Sequence, residues 1–467
     1  MSDRYTVDAI GGFTAEVALS DIPDSARAAL KRNVLDSLGC AIAALDGEII
    51  QTLRDQIDAV GGHPVATLIG GGRASVEQAT LLNSVLVRYV DLLDTYLTPG
   101  GLCHPADNFG AVLAVAEQQR SSGREFLLAL AIAYELQCRF SAQVPVMALG
   151  LNHATQLAIS AAAGAARLMG LDRERAAHAV AIAGVDNVSL SAVHSEPVSQ
   201  WKGISPGISA QRGVQAAALA GRGITGPRGL FEGPNGLHQL FDRTVDLNLA
   251  DRSLAVAEQT YLKKYCSLIH GQPVIETVLY LAQRHQPRPD DIAEVQLEVF
   301  QTAYDIAGGG KFGDKHQVTT KEQADYNLAY LTAAALLDGQ VGPEQLREER
   351  IRRPDVQALM RRVRVRPDDQ LTQGYPKTTP VRVHIRLTDG REFSREQDDY
   401  EGALSRPLSW DRVVDKFHWL AEPHADESLR EQIIAAVRNL ENIEVGALTA
   451  LLARVSPTPR RPRTHHL

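Results

Sequence analysis

Residues 380–396 read PVRVHIRLTDGREFSRE, and apolar and polar side chains alternate through the first half of this stretch. Every second residue from Val381 to Leu387 is aliphatic, and the residues between them are arginine or histidine. A period of two predicts a strand with one buried face, and Asp389 followed by Gly390 predicts the turn of a β-hairpin. The chain is therefore predicted to contain a sheet in this region.

Two further segments near this hairpin show the same alternation, residues 292–300 (IAEVQLEVF) and 363–366 (VRVR). Between them, residues 320–339 (TKEQADYNLAYLTAAALLDG) have the apolar spacing of one strong helix. Strands and a helix mixed in this way predict a small α+β domain. We place this domain at residues 271–406.

The rest of the chain has the pattern of helices joined by short loops. Alanine-rich segments such as residues 154–170 (ATQLAISAAAGAARLMG) favour closely packed helices. We therefore predict a mainly α protein, in which a large all-helical domain carries the smaller α+β domain as an inserted lid. The helical domain comprises residues 1–270 and 407–455, and residues 456–467 are predicted to form a disordered tail.

Length and composition are those of an ordinary globular protein, with 467 residues, 44% hydrophobic and 22% charged. The net charge of −8 argues against nucleic acid and against an anionic membrane as partners. The N-terminus lacks the features of a signal peptide, and no apolar run reaches the ~18 residues of a membrane span, so a cytoplasmic location is expected. The four scattered cysteines lack the spacing of a metal site or a disulfide framework, and no metal or other cofactor is expected.

The candidate site begins with two carboxylates and a threonine. A helix is predicted to begin after Ser75 and to be stopped by the Pro-Gly-Gly of residues 99–101. On that helix Asp91, Asp94 and Thr95, at i, i+3 and i+4, would share one face near its C-terminal end. Carboxylates would then point together into the loop that follows.

His104 lies in that loop, and Pro105 after it can open the next helix at its first position. A histidine oriented by a carboxylate is a base whose pKa lies near working pH. This gives a catalytic hypothesis for His104 and the aspartates. The structural alternative is that the aspartates bind loop amides and that His104 only caps a helix.

Histidine and lysine recur at three later positions. His153 precedes a helix, whose N-terminus would favour a neutral imidazole, although His153 could equally be a simple cap. Lys202 lies in a loop ahead of a helix predicted to begin at Ser205-Pro206, which suits an anion clamp, although most loop lysines are only solvated. Lys263 lies where the helical pattern gives way to the α+β pattern, and a surface charge is its alternative.

Two aromatic candidates lie in the predicted helix of the α+β domain. Tyr326 and Tyr330 are one helical turn apart and could each present a phenol to a cleft. Tyrosines at that spacing are also common in protein cores.

Taken together, these segments resemble the MmgE/PrpD family, the 2-methylcitrate dehydratase-like proteins. The matching motifs stand in the family's order from about residue 5 to 450, and they read DSLGCAIAAL, YVDLLDT with HPADN, SQWKGISPGISAQRGVQAA, GITGPRGLFEG, KKYCSLIHGQ and TKEQADYNLAYLTAAALLDG. The resemblance implies a helical domain completed by C-terminal helices, an inserted α+β lid and an active site between the two. It also implies a homodimer.

Matching by motif implies roles for eight residues. As catalytic residues it implies Asp91, His104, His153, His270 and Tyr330, and as substrate-binding residues Thr95, Lys202 and Lys263. The chain departs from the common family pattern at three places. Ala106 replaces the serine of HPSDN, Cys266 replaces the proline of a lysine–aromatic–proline motif, and Tyr326-Asn327 replaces the HS of ADHS.

The function implied is that of a cofactor-independent lyase, a dehydratase acting on a small hydroxy-polycarboxylate. His104 or His153 would take the α-proton, with Asp91 orienting His104. Lys202 and Lys263 would clamp carboxylates, and Tyr330 or His270 would protonate the leaving hydroxide. Epimerisation, as of iminodisuccinate, or decarboxylation, as of cis-aconitate, would pass through a similar carbanion-like intermediate. Outside enzymes, a helical metabolite-binding scaffold is the alternative.

Overall fold

The computed structural model describes residues 5–458 and is mainly α-helical. Consecutive helices with short connections form most of the first half of the chain. Their bounds are Thr6–Glu16, Asp24–Ala43, Glu48–Val60, Val76–Tyr89, Phe109–Gln118, Gly123–Gln143, Ala154–Leu168, Arg173–Val185 and Trp201–Gly221, with a short helix at Leu237–Leu240.

Local sequence explains where these helices begin and how closely they pack. The Ser75 hydroxyl accepts a hydrogen bond from the Gln78 amide, so Ser75 is the N-cap, as predicted. A Cβ at Gly213 would lie 2.6 Å from the Ala158 carbonyl oxygen, so the helices Ala154–Leu168 and Trp201–Gly221 meet where only glycine fits. The helices of the first half of the chain, from Thr6–Glu16 to Trp201–Gly221, are called the helical layer, and they support the loops that carry the candidate site.

A four-stranded sheet forms the centre of the region predicted to be α+β. Its spatial order is Val363–Pro367, Ile292–Val299, Val381–Leu387 and Glu392–Gln397, the first pair parallel and the others antiparallel. The predicted hairpin and both neighbouring strands are confirmed. Helices around the sheet are Gln272–His285, Gln301–Ala303, Lys321–Ala324, Leu328–Asp338, Glu348–Ile351, Pro354–Met360 and Asp369–Gly374.

The last helices, Trp410–Ala421, Glu427–Arg438 and Val445–Leu452, return to the first half of the chain. Lys416 Nζ donates to Asp36 Oδ1 at 2.6 Å, and the Gly70 amide donates to the Leu452 carbonyl. These contacts agree with a helical domain completed from the C-terminus, although the boundaries at residues 270 and 406 stay predictions.

Three predicted helix boundaries are wrong. The helix that begins after Ser75 ends at Tyr89, so the predicted helical face of Asp91, Asp94 and Thr95 does not form. Pro99 and Gly100 form the turn of a small hairpin instead. Its strands are Tyr96–Thr98 and Gly101–Cys103, and a second small pair is Ala66–Thr67 with Arg73–Ala74.

The other two errors concern helices that contribute side chains to the site. Pro206 lies inside a helix that begins at Trp201, so Lys202 is helical rather than in a loop. The predicted helix over 320–339 is broken, because Asn327 caps a second segment through a bond from the Tyr330 amide to its side chain (2.9 Å).

None of the helices in residues 5–458 is long and apolar enough to cross a membrane. Most of the predicted C-terminal tail lies outside the described residues.

Candidate active site

A small cavity lies between the helices of the first half of the chain and the region of the sheet. Its volume is about 20 Å³, room for about one water molecule. One part of its wall is polar and is formed by His104, His153, His194, Lys263, His270 and Tyr326. The other part is apolar and is formed by Leu102, Met147, Leu268, Ile269 and Ile306.

Asp91 is the centre of the charged network behind this wall. It follows the C-terminus of the helix Val76–Tyr89 with φ +50°, a left-handed conformation that aspartate tolerates better than most residues. Lys263 Nζ donates to its Oδ1 at 2.6 Å, and Lys202 Nζ lies 3.3 Å from its Oδ2. Burial opposes ionisation of Asp91, but Lys263, Lys202 and Arg88 outweigh it and hold the pKa of this carboxyl well below its usual range.

The two lysines differ in what they can still bind. Lys263 Nζ donates to the carboxylate and to the carbonyl oxygen of Asp91, at 2.6 and 3.0 Å, which leaves one of its three N–H groups for the cavity. Lys202 Nζ contacts Asp91, donates to Asp325 Oδ1 at 2.7 Å and lies 3.5 Å from the centre of the Tyr326 ring. All the donors of Lys202 are therefore engaged, and Lys202 does not line the cavity.

His104 is held in one tautomer by the backbone. Its Nδ1 lies 2.7 Å from the carbonyl oxygen of Asp94 and 3.2 Å from Thr95 Oγ1. A carbonyl oxygen only accepts, so Nδ1 carries the hydrogen and Nε2 presents a lone pair. Burial, followed by Arg88 and Lys263, lowers the pKa of His104 well below its usual value. His104 is thus a neutral imidazole with a free acceptor.

This arrangement corrects the predicted partner of His104. Among the described residues Asp91 makes no hydrogen bond with His104, because the left-handed turn directs its carboxylate to the lysines. The Asp94 carbonyl orients the ring instead. Thr95 contacts His104 and forms a β-bridge with Tyr261, so it supports the base and does not line the cavity.

The carboxylate of Asp94 has a separate role in the core. Its oxygens accept from the Ala106 amide at 2.9 Å, from the Tyr134 hydroxyl at 2.8 Å and from the Asn33 amide at 3.2 Å. Burial raises the pKa of Asp94 to about 7, against the opposing effect of the Ala106 and Tyr134 bonds. Asp94 therefore fixes the loop that holds His104.

His153 stands edge-on to His104, with 4.9 Å between the ring centres. As predicted, it immediately precedes the helix Ala154–Leu168. Its Nε2 lies 3.5 Å from Asp107 Oδ2, without the alignment of a hydrogen bond, and neither oxygen of Asp107 has another hydrogen-bond partner in the described part of the chain. Burial lowers the pKa of His153, and Asp107 opposes that shift. Of the two histidines, His153 thus has the carboxylate neighbour that favours a proton.

The remaining predicted residues divide into one that lines the cavity and one that does not. His270 lines it, with Nε2 3.3 Å from the Tyr375 hydroxyl, and burial lowers the pKa of His270 to about 3. Tyr330 does not reach it, because its hydroxyl donates to the Gln345 carbonyl in the core. The helix break before Leu328 brings Tyr326 to the cavity instead.

Five buried charged or histidine residues of this site were not predicted, His194 in the cavity wall and four residues behind it. Arg88 Nη1 lies 3.6 Å from Asp91, Lys321 Nζ lies 2.8 Å from Asp325, and Asp107 faces His153. Arg88 stands in an otherwise apolar helical run, VLVRYV, and a buried arginine is rarely found without a partner, so this signal was available. Lys321 and Asp325 are i and i+4, a pattern that is also common on exposed helices.

No group of three or more histidine, cysteine, aspartate or glutamate side chains arranged to hold a metal ion occurs between residues 5 and 458.

Two family models match the chain, and together they span most of it. The MmgE/PrpD N-terminal domain matches residues 8–250, and the MmgE/PrpD C-terminal domain matches residues 265–442.

Among relatives, the cis-aconitate decarboxylase of Homo sapiens is 25% identical over 455 residues, covering 91% of this chain and 90% of its own length. The 2-methylcitrate dehydratase of Escherichia coli (strain K12) is 24% identical over 409 residues, covering 82% and 83% respectively. The 2-methylcitrate dehydratase-like protein oryR of Aspergillus oryzae is 27% identical over 424 residues, covering 83% of both.

Proposed function

Because this chain belongs to the MmgE/PrpD family, we propose that it is a cofactor-independent lyase that dehydrates a small hydroxy-polycarboxylate. The family includes relatives named as dehydratases and as decarboxylases. The reaction begins with removal of a proton from the carbon next to a carboxylate. His104 is the base, and Nε2 is the atom that takes the proton.

One observation carries this proposal. The 2.7 Å contact between His104 Nδ1 and the Asp94 carbonyl leaves Nε2 free and unprotonated in a cavity that also contains Lys263. A general base contributes about 10²–10⁴-fold, roughly 3–5 kcal/mol of a total that is typically ~8–23 kcal/mol. Positioning and charge stabilisation must therefore supply the larger share.

Lys263 is suited to supply the charge stabilisation. Loss of the α-proton places a second negative charge on the substrate carboxylate, and the remaining N–H of Lys263 can donate to it. Asp91 neutralises part of the charge of Lys263. The Asp91 carboxylate is also paired with Arg88 and Lys202, so the network keeps a net positive charge. A cation fixed in this way needs no reorganisation during the reaction, and one such donor contributes ~3–4 kcal/mol.

The leaving hydroxide needs a proton donor, and we assign this step to Tyr326, with His153 as the alternative. Burial, with Asp91 adding to it, raises the pKa of the Tyr326 phenol, so the hydroxyl is protonated at neutral pH. Tyr326 replaces Tyr330 in this role because its ring lines the cavity. His153 has the carboxylate of Asp107 beside it, which opposes the lowering of the His153 pKa by burial without reversing it.

Decarboxylation is a second candidate, and the apolar part of the cavity wall favours it. Leu102, Met147 and Ile306 line the same cavity as the polar groups, and a carboxylate held against them loses its hydration. A carboxylate that loses its hydration loses carbon dioxide more readily. The proton of His153 or Tyr326 would then quench the carbanion.

Product analysis by proton NMR in deuterated water tests the proposal and separates the reactions. The substrates are 2-methylcitrate, citrate and cis-aconitate, each incubated with the wild-type chain. We expect an unsaturated product formed by loss of water from a hydroxy acid. Release of carbon dioxide would identify a decarboxylase, exchange of the α-proton without loss of water would identify an epimerase, and the absence of every reaction would refute the proposed lyase.

A further inference from the structure

His194 lines the cavity but has no part in the proton transfers described above. It is 4% exposed, and its ring stacks on Tyr326 with 5.5 Å between ring centres and 5° between planes. Phe312 packs edge-on against it at 6.0 Å. Contacts on several sides therefore hold this imidazole in one orientation.

A hydrogen-bond chain through Asn152 determines which nitrogen of His194 carries the hydrogen. The Ala154 amide donates to Asn152 Oδ1 at 2.9 Å, which fixes the oxygen side of the Asn152 amide. The Nδ2 of the same side chain then faces His194 Nε2 at 2.8 Å. An amide nitrogen only donates, so Nε2 accepts and the hydrogen of the neutral ring stands on Nδ1.

The N–H at His194 Nδ1 has no partner among residues 5–458, although the atom is buried. Buried donors are normally hydrogen-bonded, and one left unpaired in a well-packed site indicates a missing acceptor. Burial, with His153 and Lys202 adding to it, lowers the pKa of His194 well below its usual value, so the ring stays neutral. The neutral Nδ1–H of His194 is therefore suited to a ligand oxygen that Lys263 does not bind.

We propose that His194 is a specificity-determining residue, and that its Nδ1–H donates to a second, non-reacting carboxylate of the substrate. This inference rests on the proposed function, in which Lys263 and His104 receive the reacting carboxylate and its α-proton. His194 then selects acids that carry at least two carboxylates. Because the His194 ring stacks on Tyr326, the position of this hydrogen-bond donor is coupled to that of the proposed proton donor Tyr326.

The tautomer is tested without any ligand. Nitrogen-15 NMR of the histidine rings at pH 7 resolves protonated from unprotonated nitrogens, and His194→Asn identifies the His194 signals by their loss. We expect a neutral ring with the hydrogen on Nδ1. A ring with the hydrogen on Nε2, or a doubly protonated ring, would overturn the inference.

The donor itself is tested by calorimetric titration of citrate into the wild type, His194→Phe and His194→Asn. Phenylalanine keeps the ring that stacks on Tyr326 but has no donor, whereas the asparagine amide places an N–H near the position of Nδ1. We expect citrate affinity to fall about tenfold or more in His194→Phe, because a carboxylate oxygen loses its partner, and to stay within about threefold in His194→Asn. Thermal unfolding checks that both variants are folded.

Equal affinity in all three proteins, or equal weakening in both variants, would contradict the role of His194. No citrate binding to the wild type would overturn the ligand class. Failure of the proposed function itself is a different result, because it would appear as undiminished turnover when His104 is replaced, whatever the affinity of the His194 variants.

Discussion

At the scale of single residues, Asp94 has an unusual environment for a carboxyl group. It is fully enclosed, and its oxygens meet the Tyr134 hydroxyl and the Asn33 amide rather than a cation. Burial raises its pKa to about 7, far above the ~3.9 of an unfolded chain. Because the pKa of Asp94 is higher in the folded than in the unfolded protein, the bound proton stabilises the fold. This stabilisation is complete at a pH below the unfolded-state pKa and is lost as pH rises through about 7.

Replacing Asp94 by Asn should therefore flatten the pH dependence of stability. Between pH 5 and pH 8 we expect the wild type to lose about 2–3 kcal/mol more unfolding free energy than Asp94→Asn. Urea unfolding at several pH values measures the difference. Glu441→Gln is the control, because Glu441 is a partly exposed residue paired with Lys31, and its curve should run parallel to the wild type. A parallel curve for Asp94→Asn would contradict the raised pKa.

The site residues divide into those that local sequence could predict and those that it could not. His104 precedes a proline that opens a helix, and His153 precedes an alanine-rich helix, so both positions were visible in short segments. The conformation of Asp91 was not visible, because it is tied to Lys263, 172 residues further along the chain. A lysine ammonium at that distance in sequence leaves no local signal.

At the scale of secondary structure elements, the helix Trp410–Ala421 ties the end of the chain to the site. Its Lys416 Nζ donates to Asp36 Oδ1 at 2.6 Å and to the carbonyl oxygens of Lys263 at 2.7 Å and Leu92 at 3.1 Å. One buried ammonium group therefore holds the backbone on both sides of the charged network.

Lys416→Met should destabilise the protein by roughly 3 kcal/mol, because it leaves Asp36 buried without its cation. It should also lower turnover, because two site segments lose a shared anchor. Chemical unfolding and activity measure the two effects. In the control Lys31→Met, the lost partner is Glu441 at a partly exposed pair, and the cost should stay below about 1 kcal/mol. Similar losses in both variants would contradict this account of Lys416.

Elements were predicted well where their signal is local and poorly where distant contacts set their ends. The hairpin of Val381–Leu387 and Glu392–Gln397 follows from a two-residue period and an Asp-Gly turn. The break at residues 325–327 does not, because the segment has the composition of a continuous helix. Lys202, from another helix and 123 residues away in sequence, binds the Asp325 side chain at that break, and such a contact leaves no signal in the segment.

At the scale of the whole molecule, the cavity of about 20 Å³ is too small for a polycarboxylate, so the substrate needs the structure to open. Glu196 links the two sides near the cavity. Its amide donates to the Phe312 carbonyl at 2.9 Å, and its carboxylate accepts from Lys315 and from Gln323. These bonds hold residues 312–323, the segment that precedes Tyr326, against the loop that contains Glu196.

Glu196→Gln should weaken this attachment, because the ion pair with Lys315 is lost. We expect faster amide hydrogen exchange in residues 312–323, measured by mass spectrometry, and unchanged exchange in the strand Val381–Leu387. His316→Gln, at an exposed side chain of the same segment, serves as the control and should leave both regions unchanged. Unaltered exchange at 312–323 in Glu196→Gln would show that other contacts hold the segment.

The central claim is that His104 removes the α-proton while the cations behind Asp91 stabilise the resulting charge. The most direct measurement is single-turnover proton NMR of 2-methylcitrate in deuterated water with the wild type and with His104→Gln. We predict that loss of the α-proton signal slows by at least about 10²-fold in His104→Gln, while thermal unfolding shows an intact fold. Proton loss at the wild-type rate in that variant would contradict the claim.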